Sequence, residues 1–148
     1  MPVIDEASIT QYITDTFGDI QIATAEGCTF YFHGPDRKFP FATLVTKDND
    51  SDRTSNLDRP SVFRLNIGVS RATYHSLFGA PQGRAKAAGA ADPVRDFTVL
   101  DQLMPHPVYG QMFWVCVLNP GAATFQAVQP LLAEAYHLAV ARQAKRQG

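Results

Sequence analysis

The chain holds 148 residues, 45% of them hydrophobic and 18% charged, with a net charge of -1. That supplies the core of one domain over residues 1–148, excludes a disordered chain, and argues against a generic binder of polyanions, which needs clustered Lys and Arg. No run reaches the roughly 18 apolar residues of a membrane helix, and the start of the chain lacks the basic-then-apolar order of a secretory signal, so the cytoplasm is the expected compartment.

The first predicted element is a helix from about Glu6 to Phe17. Asp5 can cap it, and Ile9, Tyr12, Ile13 and Phe17 share one face. Gly18 follows as the expected C-terminal stop. Ile20–Ala23 and Cys28–His33 then read as a hairpin joined through Glu26-Gly27. Gly34 to Lys38 is a turn with a basic tip, and Phe41–Thr46 is a third strand. Residues 47–60 are polar almost throughout and read as a mobile, solvated surface loop. A fourth strand, Val62–Ile67, points Phe63, Leu65 and Ile67 one way and Arg64 and Asn66 the other.

Ser70 caps a short helix through Phe78, with Tyr74, Leu77 and Phe78 on its buried face. The Gly- and Ala-rich residues 79–91 read as a second loop. Pro105 and Pro107 flank His106 and hold that stretch extended and stiff. Met112–Leu118 is the most apolar run and reads as a buried central strand. The remainder is helical. Either Pro130 opens the main helix, running to about Lys145, or one longer helix kinks there. Short loops between the early strands make them antiparallel. The expected fold is α+β: a single twisted, mainly antiparallel sheet with helices packed on one face.

Few chemical motifs stand out. His33, His75, His106 and His137 form no close pair, and Cys28 and Cys116 have no CxxC partner, so no metal site is expected. Both cysteines sit among apolar neighbours, where a thiol is a poor nucleophile. No nucleophile elbow and no phosphate-binding glycine loop occurs, and no cofactor is expected. The run Asp48 to Asp52 has calcium-like spacing, but Arg53 and Arg59 replace the Gly and Glu such a loop requires. The cations Arg142, Lys145 and Arg146 suit the negative end of a helix.

Two groups remain. Arg64 and Asn66, on an otherwise apolar strand, can hydrogen-bond a carboxylate or phosphate if their face is open; the plainer reading is an ordinary wet sheet face. Arg37, Lys38, His106, Tyr109 and Trp114 form a basic and aromatic set. His106 there titrates near neutrality and can act as acid, base or donor. The plainer reading makes Tyr109 and Trp114 core and His106 a surface residue.

The runs Pro107-Val108-Tyr109, Phe113 to Val117 and Leu131 to Leu138 resemble the C-terminal signature of the MmcQ/YjbR-like proteins. Phe39 to Ala42 and Phe63 to Asn66 resemble their earlier strands. More closely, residues 36–43, 63–69 and 103–109 are similar to a bacterial family of unknown function. The resemblance implies a CyaY-like, double-wing α+β fold, and DNA binding has been suggested for MmcQ/YjbR-like proteins. Here Gln111, Met112 and Phe113 replace their basic and His positions, and Ala135 replaces their usual Ser, so nucleic acid is not the favoured partner.

The favoured function is a non-enzymatic binding module that holds a small anionic ligand or a protein segment on the sheet face. Arg37, Arg64, Asn66 and His106 would supply polar contacts, with Tyr109 and Trp114 as an apolar wall. The alternatives are a DNA-binding domain, with Arg37, Lys38, Arg142, Lys145 and Arg146 on phosphates, and a small enzyme using His106 as acid or base. No membrane partner is expected.

Overall fold

The computed structural model describes residues 4–35, 39–48, 52–79 and 96–147. Helix α1 spans Glu6–Thr16 and opens with a reciprocal cap: Asp5 accepts from the Ser8 N–H, and the Ser8 hydroxyl oxygen accepts from the Asp5 N–H. Phe17 closes it in an extended conformation, and Asp19, not Gly18, takes the left-handed backbone at φ 61°.

Strands β1 (Ile20–Ala25) and β2 (Cys28–His33) form the expected hairpin. Glu26 and Gly27 both carry positive φ, as a two-residue hairpin turn requires. Strands β3 (Ala42–Val45) and β4 (Arg64–Gly68) follow, then helix α2 (Arg71–Phe78), strand β5 (Met104–Pro105), strand β6 (Trp114–Leu118) and helix α3 (Ala122–Gln147). Among the described residues these strands form one six-stranded sheet, in the order β1-β2-β3-β4-β6-β5, with each neighbouring pair antiparallel. The fold is α+β.

Alternation along the central strands decides which face meets the helices. Leu65 and Ile67 of β4, Val115 and Val117 of β6, and Leu44 of β3 bury against Ile9 and Ile13 of α1 and Phe125, Val128 and Leu132 of α3. Tyr31 adds a polar tie, pairing its hydroxyl with Thr10 of α1 at 2.6 Å. Tyr74 of α2 joins this core, while Leu77, expected on the buried face, is exposed. Pro130 lies inside α3, so the main helix begins at Ala122 rather than Pro130. Phe125 and Val128 bury in the same core as Leu132, and this packing carries the helix through the missing N–H of the proline.

The other sheet face is neither open nor wet. Leu57, Val62, Met104, Cys116 and Leu118 form a second, smaller core there, with Val45 and Phe97 packed against it. The described part of residues 47–60 is therefore not a solvated loop. Ser55 and Leu57 are fully buried. Asp48 accepts from the Leu57 N–H, its own N–H donates to Asp58, and Arg59 donates to the Ser55, Asn56 and Thr98 carbonyls. The polar side chains satisfy one another and the backbone, which composition alone does not reveal.

Candidate functional site

The register of β4 builds the site. Arg64 lies between Val45 and Leu118, and Asn66 between Thr43 and Cys116, all facing the second core. Arg64 is 1% exposed, so its charge needs a partner within the protein. The partner is Asp52, whose two carboxylate oxygens accept from Nη1 and Nη2. Nη1 also donates to the Ser55 hydroxyl at 2.9 Å, and Nε donates to Asn66 Oδ1 at 2.9 Å. Asn66 is braced in turn, donating from Nδ2 to the Thr43 hydroxyl at 2.9 Å. Burial pushes the Asp52 carboxyl up. The Arg64 hydrogen bonds and charge, with a contribution from His106, outweigh that effect and hold it below the usual carboxylate range.

His106 completes the cluster from the other side. Its Nε2 lies 3.4 Å from Arg64 Nη2, so the structure brings Arg64, Asn66 and His106 together. The ring is 5% exposed and is not a surface residue. Its Nδ1 accepts from the N–H groups of both Val108 and Tyr109 at 3.0 Å. A neutral imidazole carries one hydrogen, so this pattern assigns it to Nε2. Burial first, then the charge of Arg64, pushes the His106 pKa down to about 3, against the opposing pull of the Asp52 carboxylate. The ring is neutral near pH 7, which corrects the expectation of titration near neutrality.

Beyond Pro105 the chain does not stay extended. Gly110 N–H donates to the His106 carbonyl, and Gly110–Met112 forms a turn of 3-10 helix. One cause is local: His106 captures the next two free backbone N–H groups and bends the chain around its ring. Tyr109 tilts over that ring at 5.1 Å between centroids and is 51% exposed rather than core. Trp114 is half-buried on the Arg64 face of the sheet, paired with Gly68. A Cβ at Gly68 would lie 2.9 Å from the indole, so glycine makes room for the ring. Arg37 and Lys38 lie outside the described residues, as do residues 80–91 of the expected second loop.

Sequence reasoning missed Asp52, Ser55 and Thr43 as members of the cluster. A buried arginine signals that some carboxylate must approach, but the nearby sequence offers several aspartates and no rule to choose among them.

The thiols are poorly placed as nucleophiles. Burial pushes the Cys28 thiol up, with the charge of Arg64 opposing. Cys116 is fully buried and donates to the Pro105 carbonyl at 3.6 Å. Among the described residues, no group of three or more His, Cys, Asp and Glu side chains is placed to hold a metal ion, and no helix is long and apolar enough to cross a membrane.

The sequence model of one family, described as Family of unknown function (DUF6194), matches residues 4–148. No curated protein and no solved structure matches the chain.

Proposed function

The chain belongs to this family of unknown function, and we propose that it is a non-enzymatic binding module that takes a protein segment on the rim formed by residues 107–112. One observation carries the reading: the rim displays large apolar side chains on a backbone that is already fixed. Among the described residues, Val108, Tyr109 and Met112 are three of the seven exposed large hydrophobics, and Met112 is 66% exposed. His106 holds the Val108 and Tyr109 N–H groups, and the Tyr109 carbonyl accepts from Met112 and Trp114. Phe113 follows with a left-handed backbone, φ 67°, a conformation that costs a bulky residue roughly 1–3 kcal/mol. Its ring packs edge-on against Tyr74 and His75, and those contacts oppose the strain. Apolar groups held ready in this way bind with little further loss of entropy.

The same proposal makes the chain one domain over residues 1–148, of MmcQ/YjbR-like, CyaY-like type, at work in a bacterial cytoplasm. The single antiparallel sheet backed by helices agrees with that resemblance. A protein partner is favoured over DNA by the net charge of -1 and by the burial of Arg64. Binding is favoured over acid–base catalysis by the two backbone donors that occupy His106 Nδ1.

The test is panning of a displayed random-peptide library against the wild-type chain. Enriched peptides should lose binding to the Tyr109→Ala and Met112→Ser variants. Enriched peptides that bind both variants as well as wild type would overturn the proposal, as would the absence of any enrichment.

A further inference from the structure

We propose that Arg64, His106 and Asn66 form a receptor for a small carboxylate ligand, and that the Asp52 carboxylate fills it from within the chain. The Nη1 and Nη2 edge of Arg64 grips both oxygens of Asp52, a two-pronged geometry that fits any planar carboxylate. The guanidinium is also fixed by groups other than Asp52. Nε is held by Asn66, which Thr43 braces, and Nη1 reaches Ser55. The head is thus aligned whether or not Asp52 is in place.

His106 supplies the independent observation. Its hydrogen is on Nε2, and that nitrogen faces Arg64 Nη2, itself a donor, at 3.4 Å. No Nε2–H bond to an acceptor is formed among the described residues, although the ring is 95% buried by its 5% exposure. Two donors lie side by side, and a single oxygen placed between them would satisfy both. Asp52 meets the Arg64 half of this need and makes no hydrogen bond to His106.

Access and charge define the ligand. The Asp52 side chain is 12% exposed against 1% for Arg64, so the carboxylate is the outer member of the pair. A ligand replacing it approaches from solvent and leaves Leu57 and the sheet packed. One guanidinium beside a neutral imidazole balances a single negative charge, which favours a carboxylate over a phosphate dianion. Asp52 competes as a tethered rival at high effective concentration, so the wild type binds free carboxylate weakly. This receptor stands whether or not a protein segment docks on Tyr109 and Met112.

The test is a titration of 15N-labelled protein with sodium acetate, against sodium chloride at equal ionic strength, read at the Arg64 Nε–H resonance. Acetate alone should move that resonance saturably in the wild type, and Asp52→Ala should bind acetate at least about tenfold more tightly. No acetate-specific movement in the wild type overturns the proposal, as does equal affinity in the two proteins. Should Asp52→Ala fail to fold, the wild-type titration decides alone.

Discussion

Mild acid should destabilise the protein through His106. The folded ring titrates at about 3 and the unfolded one near 6.5. Between these values the unfolded chain binds a proton that the folded chain refuses. Stability is therefore complete above 6.5 and declines as pH falls toward 3. The slope approaches about 1.4 kcal/mol per pH unit, and integration from pH 7 to pH 5 gives a loss of about 2 kcal/mol. Asp52 contributes with the same sign at lower pH: its carboxyl is depressed below 3.8 when folded, so its contribution is lost as pH falls through that region. The assay is urea unfolding at several pH values over this range, followed by Trp114 fluorescence and circular dichroism, for the wild type and His106→Asn. Asparagine keeps an oxygen that can accept the Val108 and Tyr109 N–H groups but takes up no proton. The two proteins are identical at every other position, so the comparison isolates residue 106. The wild type should lose about 2 kcal/mol more than the variant between pH 7 and pH 5. Parallel pH profiles would refute the reasoning.

Leu57→Ala should cost about 2–5 kcal/mol in chemical unfolding, while exposed Thr54→Ala stays within about 0.5 kcal/mol; equal small effects would return residues 47–60 to a solvated loop. Gly68→Ala forces the Trp114 ring to move and should cost roughly 1–3 kcal/mol with a shifted indole emission; unchanged emission would contradict the contact. Glu134 accepts from the Ser70 N–H at 2.8 Å and the Thr73 hydroxyl at 2.6 Å, tying α3 to the start of α2. Glu134→Ala should therefore lose about 1–3 kcal/mol of unfolding free energy, and Glu134→Gln, which keeps one accepting oxygen, should lose less.

The elements were legible because their signals are local. Asp5 and Ser70 cap helices through side-chain oxygens that reach the next turn, and the β1–β2 hairpin follows from two residues that accept positive φ. The alternation in β4 separates Leu65 and Ile67 from Arg64 and Asn66 by the two-residue period of any strand. The α+β class follows from such signals together.

Tertiary structure decided what each face meets. The sequence places Arg64 and Asn66 on the face away from the helices, but it does not state that Leu57, Val62 and Met104 cover that face. It places His106 between two prolines, but burial beside Arg64 sets its charge, and two backbone N–H groups set its tautomer. Desolvation and pairing of charge depend on groups distant along the chain. Asp52 lies 12 residues from Arg64 and His106 lies 42, separations at which no local pattern fixes a contact. Local propensity wrote the strands and helices; packing in three dimensions turned a polar loop into the partner of a buried cation.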